Sequence, residues 1–130
     1  MQSAQVGDAI AQFNVVRMFE YDKKYEEAVE FYEKAAKQGH MTSQRKLGDY
    51  FFDGRSVRRN YTTAAQWYEK AAKQGDKEAQ IDLAECYYDG AGVTQNYLEA
   101  VKWYVKAANQ GSSDAQYQLG YKTLDRKSGS

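Results

Sequence analysis

The chain has 130 residues, and its 18 Lys and Arg residues balance its 18 Asp and Glu residues to a formal net charge of zero. This length predicts one domain, 1–130, with enough core to fold by itself. The charge balance argues against nucleic acid as a partner, because polyanion binders normally carry a basic excess. A single Cys excludes a disulfide framework, and no apolar run reaches the ~20 residues that insert across a bilayer.

The first residues, Met1–Gln5, lack the basic and apolar segments of a signal peptide. A cytoplasmic location is therefore favoured, and a periplasmic or secreted one would follow if a leader had been removed. The sequence names neither the partner nor the compartment.

An internal repeat organises the chain. The segment Trp67–Gly75 recurs 36 residues later as Trp103–Gly111 and 36 residues earlier as Phe31–Gly39. Residues 40–75 and 76–111 agree at 15 of 36 positions without a gap. We therefore expect repeat units at 8–39, 40–75 and 76–111, a partial capping unit at 112–125 and a flexible tail at 126–130.

Each unit predicts two amphipathic helices. In the first half of a unit, apolar or small residues stand four apart, in chain order Ala11, Val15 and Phe19, then Ser43, Leu47 and Phe51, then Ala79, Leu83 and Tyr87. The second half carries a helical stripe at i, i+3, i+4, i+7 and i+8, such as Ala64, Trp67, Tyr68, Ala71 and Ala72. No chain-breaking Pro occurs in either half.

Polar and glycine residues mark the helix ends. Gly39, Gly75 and Gly111 stand where the apolar pattern stops, as left-handed residues after helices do. Asp76 and Ser112 follow as predicted helix caps, and Asn96 begins a segment that resembles a capping box. Because one helix pair cannot bury its own stripe, the units are predicted to stack.

The third unit gives the pattern its most complete form, running from Ala79, Leu83-Ala84 and Tyr87 through Gly90, Gly92-Val93, Ala100 and Trp103-Tyr104 to Lys106-Ala107-Ala108 and Gln110-Gly111. It resembles the SEL-one-like repeat, a relative of the tetratricopeptide repeat, and the resemblance covers residues 8–124. The first unit lacks the Gly-x-Gly-Val loop. The second unit has this loop with Ser56 in place of the second glycine. The resemblance implies an all-α, right-handed α-solenoid of about seven helices, with a last unpaired helix near 112–125.

The residues that could support catalysis are few. His40 stands where a polar residue is expected to start a helix, and Cys86 aligns with Tyr50 as a packing residue. Gly90-Ala91-Gly92 follows a helix and lacks the Lys of a phosphate loop, so it is interpreted as a connection. Metal sites need several ligands at fixed spacing, which one His and one Cys do not supply. We therefore predict no catalytic, cofactor or metal site and no enzyme activity.

The resemblance also implies that the first helices of successive units line a concave groove. One residue per unit then forms each row, and the predicted partner-binding residues are Phe13, Arg17, Glu20, Arg45, Asp49, Phe52, Ile81, Glu85, Tyr88, Tyr117 and Tyr121. Aromatic residues and Arg are enriched at interface centres. The alternative is that Phe52, Tyr88 and Tyr117 extend the packing between units. A loop cluster of Arg55, Arg58 and Arg59 is interpreted as solvated, or as a secondary contact with an acidic partner.

Taken with the resemblance, these features predict a bacterial adaptor or scaffold that binds a peptide or partner domain in its groove, without nucleic acid or membrane insertion. A monomer is expected. The first alternative is a structural repeat segment of a larger protein that self-assembles end to end. The second is a hydrolase, because some cysteine-rich family members are linked to β-lactam binding. The paired cysteines of those members are missing here.

Overall fold

The structure is a computed structural model that describes residues 25–129, with side chains described as far as Lys122. This part of the chain is all-helical and forms six helices: α1 Tyr25–Lys37, α2 Met41–Asp53, α3 Tyr61–Lys73, α4 Lys77–Asp89, α5 Tyr97–Asn109 and α6 Ser113–Gly129. Each helix packs mainly against its neighbours in sequence, so α2 with α3 and α4 with α5 form stacked pairs. The predicted α-solenoid is confirmed, and the first helix of the first unit lies outside the described residues.

Polar side chains fix where the helices begin. The side chain of the residue before each helix from α2 to α6 accepts a hydrogen bond from a backbone N–H of the first turn, at His40, Asn60, Asp76, Asn96 and Ser112. Such caps satisfy N–H groups that have no partner within the helix. The predicted roles of Asp76, Asn96, Ser112 and His40 at helix starts are confirmed.

Glycine is required in the loop that joins α4 to α5. Gly92 has a φ of +74°, and a Cβ at this position would lie 2.1 Å from the backbone oxygen of Tyr61. Ser56, at the equivalent position of the preceding loop, adopts a φ of 60° and is the one non-glycine residue in the described part with a positive φ. The third unit's loop thus sits directly on the start of α3.

Alanine and tyrosine residues form the core between the helices. Ala72 and Ala107 are fully enclosed, and the rings of Tyr32, Tyr68 and Tyr104 are buried among them. The small alanine side chains allow the helix backbones to approach, and the tyrosine rings fill the space between units. The first helices also contribute to this core, for example through Leu47 and Leu83, while Asp49 and Glu85 on the same helices reach the surface.

Glutamine side chains connect successive units. Gln80 donates a hydrogen bond to the Ala72 carbonyl at 3.1 Å, and Gln110 donates to Gln80 at 2.8 Å and to the Gly75 carbonyl at 3.0 Å. The same arrangement occurs one unit earlier, where Gln44 and Gln74 take these roles. These bonds join the C-terminal end of one second helix to the next unit.

Helix α6 is longer than the helix expected near 112–125. It runs from Ser113 to Gly129, because no Pro or loop motif interrupts this segment. The backbone of residues 126–129 is therefore helical, and the mobility expected for the tail at 126–130 stays a prediction.

Candidate functional site

Arg45 links two successive first helices on the surface where the sequence places the groove. Its Nε lies 3.3 Å from Oδ2 of Asp76, the residue that caps α4, and its guanidinium lies 3.9 Å from Oδ2 of Asp49. The pair with Asp76 is largely enclosed, whereas Asp49 is half-exposed. Arg45 therefore joins the second and third units through its ion pair with Asp76, and it also faces the surface.

Asp49 is held by a phenol from the core. The hydroxyl of Tyr68 donates a hydrogen bond to Oδ1 of Asp49 at 2.6 Å. Burial raises the pKa of the Asp49 carboxyl, while this hydrogen bond and the Arg45 charge lower it. Burial and the nearby Asp49 charge raise the pKa of Tyr68, so this phenol keeps its proton. The pair fixes the position of one carboxylate on the surface.

Asp82 on α4 faces the same place from the next unit. Burial is the main cause that raises its pKa to about 8, followed by the charges of Asp49 and Glu85, and the Arg45 charge opposes the rise. No described residue forms an ion pair or hydrogen bond with Asp82. We call Asp49, Asp82 and Glu85 the acidic row. The nearby acids favour the protonated form of Asp82, while Arg45 lies beside Asp49.

Glu85 lies beside an ammonium group supplied by α6. Although much of Glu85 is exposed, burial of its carboxyl raises the pKa, and the charge of Lys122 lowers it. Lys122 Nζ lies 4.1 Å from the centroid of the Tyr88 ring, in a cation–π contact. Tyr88 in turn meets the ring of Tyr97 edge-on at 5.2 Å. The acidic row therefore already accepts one cation of its own chain, at its C-terminal side.

A buried hydroxyl beside the row has no partner. Tyr104 is 1% exposed, and its hydroxyl forms no hydrogen bond among the described residues. It stands 36 residues after Tyr68, and Glu85 stands 36 residues after Asp49, yet the bond that joins Tyr68 to Asp49 is not repeated. Burial and the Glu85 charge raise the pKa of Tyr104, so its proton is retained. An enclosed hydroxyl without a hydrogen-bond partner costs stability.

The structure brings several of the sequence-predicted residues together and separates others. Arg45, Asp49, Glu85 and Tyr88 lie on the linked first helices described above. Tyr117 and Tyr121 on α6 are 67% and 58% exposed and stack on each other at 6.2 Å. Their rings are available to a partner.

Two predicted residues belong at least partly to the core. Ile81 is only 5% exposed, because its apolar side chain packs into the cluster between the units. Phe52 is half-buried against Tyr61, with ring centroids 4.8 Å apart, and against Tyr68 at 6.3 Å. Phe52 therefore packs within the second unit, against α3, and whether it also binds a partner stays a prediction. Phe13, Arg17 and Glu20 lie outside the described residues.

Sequence reasoning missed Asp82, Tyr104 and Lys122. Tyr68 and Tyr104 are 36 residues apart, and so are Asp49 and Glu85. This shared spacing was a signal that each unit places a tyrosine and an acid at equivalent positions. Asp82 aligns with Lys46, so no pattern across the units marked it. Its proximity to Asp49, on another helix, becomes apparent only in three dimensions.

The groups considered for catalysis have structural roles. Cys86 is buried, as predicted for a packing residue, and burial raises the pKa of its thiol to about 12. His40 Nδ1 accepts a hydrogen bond from the Ser43 backbone, and burial lowers its pKa. In the loop between α2 and α3, the guanidinium of Arg55 lies 5.0 Å from the centroid of the Tyr25 ring. Within the described residues, no three His, Cys, Asp or Glu side chains are arranged to hold a metal ion.

Comparison with known proteins identifies the repeat. The model of the Sel1 repeat matches residues 9–40, 42–76, 77–112 and 113–123, which together form most of the chain. The chain belongs to the Sel1 repeat family. This confirms the resemblance to SEL-one-like repeats, and proteins with Sel1 repeats generally mediate protein interactions. A search of curated proteins finds no match.

Solved structures of Sel1 repeat proteins are similar to this chain. A Sel1 repeat protein from Oxalobacter formigenes is 34% identical, with a TM-score of 0.83 and 92% of each chain covered. The antigen c5321 of uropathogenic Escherichia coli is 33% identical, with a TM-score of 0.85 over 91% of this chain and 26% of that one. Helicobacter pylori cysteine rich protein B is 27% identical, with a TM-score of 0.72 over 90% and 93% of the two chains.

Proposed function

We propose that this Sel1 repeat protein is an adaptor that binds a peptide segment or partner domain across its first helices, α2, α4 and α6. The observation that carries the proposal is the exposure of Tyr117 and Tyr121, whose stacked rings extend the line of polar and aromatic side chains on these helices. Large aromatic side chains are typical anchors at interface centres. The family supports the general role, since Sel1 repeat proteins mediate protein interactions.

The binding surface and the core use different residues. Ala72, Leu83 and Ala107 are buried between units, whereas Glu85 and Tyr117 reach solvent. A partner can therefore contact the first helices without disturbing the packing that holds the units together. None of the helices in the described residues is long and apolar enough to cross a membrane.

We propose binding and not catalysis as the activity. Sel1 repeat proteins are typically non-enzymatic. The hydrolase alternative was drawn from cysteine-rich family members, and this chain has one cysteine, which is buried. A buried thiol whose pKa is raised to about 12 is protonated at neutral pH and is a poor nucleophile.

The test is a binding measurement on a matched pair of variants. Twelve-residue peptides are selected from a random phage-displayed library, and their affinities are measured by fluorescence anisotropy. Truncating the exposed anchors Tyr117→Ala and Tyr121→Ala together should weaken binding about thirtyfold, the loss typical of a central anchor. The control Leu98→Ala, Val105→Ala removes equally accessible apolar side chains from α5.

The control variant should keep full affinity, and both variants should melt within a few degrees of the wild type. If the tyrosine variant binds as well as the wild type, or if no peptide is selected, the first-helix surface is not the binding site.

Self-association is a second candidate, favoured by an exposed apolar stripe on α5. Leu98 is 83% exposed, and Val101 and Val105 on the same helix are also exposed. The equivalent residues of α3, Thr62, Ala65 and Glu69, lie around one recess with residues of the third unit. Thr62 and Glu69 of the second unit are thus replaced by the apolar residues Leu98 and Val105 in the third unit.

The stripe is tested by mass in solution. Light scattering over a concentration series should show a dimer or larger species that the variant Leu98→Thr, Val105→Glu abolishes. This variant restores the residues of the second unit and so keeps a sequence that the fold accepts. A wild type that stays monomeric at high concentration would exclude this candidate.

A further inference from the structure

We propose that two copies of this chain associate through the outer side of α5, with the two α5 helices antiparallel and related by a two-fold axis. The side chains that make this contact are Leu98, Val101 and Val105, which we call the α5 stripe. This inference rests on the self-association candidate of the proposed function, and it adds the arrangement of the two copies. The peptide surface on α2, α4 and α6 is not part of it.

The α5 stripe is exposed where the equivalent side of α3 is covered. The loop of the third unit lies against the start of α3, since a Cβ on Gly92 would lie 2.8 Å from the backbone nitrogen of Thr62. Ala65, one turn further along α3, is 2% exposed. Val101, which stands 36 residues after Ala65, is 41% exposed. Among the described residues, the outer side of α5 therefore lacks the cover that α3 receives.

The loops that could supply this cover are already in place elsewhere. Val57, in the loop after α2, packs against the cluster that contains Ala28 of α1. Val93, in the loop after α4, packs against the cluster that contains Ala64 of α3. Where α6 would be followed by a loop of this kind, residues 126–129 are helical instead. Within residues 25–129, no such loop remains to cover α5.

The residues of the α5 stripe suit an interface better than a solvated end. Solenoids need a polar outer face on their terminal units to stay soluble. The second unit has Thr62 and Glu69 at the positions of Leu98 and Val105. In the third unit these positions are apolar, although Leu98 is 83% exposed and Val105 is 40% exposed. A cluster of exposed apolar side chains at helical spacing marks a surface for another protein.

The α5 stripe is complementary to itself, which makes a second copy its partner. Leu98 and Val105 are seven residues apart, or about 10 Å along the helix, with Val101 between them. When two copies of α5 pack antiparallel around an axis near Val101, each Leu98 meets the partner's Val105, and the two Val101 side chains meet at the axis. A two-fold contact of this kind uses the same surface of both copies and closes the assembly at a dimer.

The charges beside the α5 stripe favour the antiparallel order. Glu99 in the first turn and Lys106 in the last turn are seven residues apart, so they lie on one edge of the stripe. The antiparallel order brings each Glu99 level with the partner's Lys106, whereas a parallel order brings residues of equal number level with each other. Lys102 lies between them, but its Nζ is 3.9 Å from Oε1 of Glu99 and lies over the Trp103 ring at 5.8 Å, so its charge is directed to its own helix. Opposite charges therefore face each other at both ends of the contact.

Sedimentation equilibrium over a concentration series measures the association. We expect the wild type to pass from one chain to two as its concentration rises. The variant Leu98→Thr, Val105→Glu should weaken the association at least tenfold, because it replaces two of the three apolar side chains that the contact buries. The control Glu27→Lys changes an exposed acid of α1 and should leave the association unchanged.

Two single charge reversals test the antiparallel order. Glu99→Lys and Lys106→Glu should each weaken the dimer about fivefold, since each places like charges opposite one another at both ends of the contact. An equimolar mixture of the two variants should restore the association, because both pairs in the mixed dimer again join opposite charges. Damage within either chain would not be repaired by mixing.

The outcomes separate this inference from the candidates of the proposed function. A wild type that stays monomeric at high concentration would overturn the inference and the self-association candidate together, and would leave the α5 stripe to a different partner such as a repeat unit of another protein. A dimer that the stripe variant does not weaken, or whose charge variants are not restored by mixing, would overturn the inference and leave self-association standing. Peptide binding is measured on other residues, so neither result bears on it.

Discussion

Replacing Asp82 by Asn should stabilise the protein, and by an amount that depends on pH. Asn has the shape of the protonated carboxyl and cannot acquire a charge. In the folded chain the pKa of Asp82 is about 8, raised by burial and then by Asp49 and Glu85, whereas an unperturbed Asp titrates at 3.8. The folded state therefore binds more protons than the unfolded state between these two values.

The sign of the effect follows from this difference. Below pH 4 the carboxyl is protonated in both states, and its contribution to stability is fully present. As the pH rises towards 8, the unfolded chain ionises freely while the folded chain must either keep the proton or hold an unfavourable charge, so stability is lost. Wild type and Asp82→Asn should therefore be almost equally stable near pH 4 and differ most at pH 9.

The size of the difference can be worked from the same values. A rise in pKa from 3.8 to about 8 corresponds to about 6 kcal/mol if the carboxyl were wholly enclosed, at 1.36 kcal/mol for each pH unit. Asp82 is only half-buried and solvent screens part of its charge, so we expect about 2 kcal/mol at pH 9. That is about 5–10 °C in melting temperature for a domain of this size.

Urea unfolding followed by circular dichroism at pH 4, 7 and 9 measures this difference. Glu30→Gln, on the exposed face of α1, is the matched control and should change stability by no more than about 0.5 kcal/mol at any pH. A gain for Asp82→Asn that is the same at pH 4 and pH 9, or a loss at pH 9, would refute the crowded acidic row.

Five further substitutions test the packing of the units. Ala72→Asp places a charge in a fully enclosed helix contact and should cost about 3 kcal/mol or more in urea unfolding. Gly92→Ala should cost at least about 2 kcal/mol because its Cβ meets backbone, whereas Ser56→Gly should raise stability by up to about 1 kcal/mol by relieving a positive φ. Gln80→Ala removes the hydrogen bond that Gln80 donates to the Ala72 carbonyl and the one that it accepts from Gln110, and should cost about 1–2 kcal/mol, against less than about 0.5 kcal/mol for exposed Gln116→Ala. Equal effects of Gly92→Ala and Ser56→Gly, or of Gln80→Ala and Gln116→Ala, would contradict the contact concerned. A cost below about 0.5 kcal/mol for Ala72→Asp would contradict the enclosed helix contact.

The fold could be predicted from the sequence because the same helix-pair pattern recurs in successive units. The 36-residue spacing, the Ala and Trp-Tyr stripes and the polar residue before each helix are local patterns, and α2 to α5 begin and end where these patterns do. Asp53 and Asp89 end their helices, and Gly54 and Gly90 follow them in the left-handed conformation. Local signals of this kind agree with the packing that they produce.

The candidate site was predicted only in part, because it depends on distances between helices. Counting along the helices found Arg45, Asp49 and Glu85, but it also placed Ile81 on the surface, where neighbouring helices in fact cover it. Asp82 was missed because its neighbour Asp49 is on another helix and its aligned residue in the second unit is a lysine.

Binding at the first helices is tested most directly by mapping a selected peptide on the protein. In a titration of ¹⁵N-labelled protein, the account predicts that amide chemical shifts change at α2 and α4, around Asp49, Glu85 and Tyr88, and along the first turns of α6. The outward residues of α3 and α5, such as Lys73 and Lys106, should keep their shifts. Changes confined to α3 and α5, or to the stripe at Leu98, would contradict it.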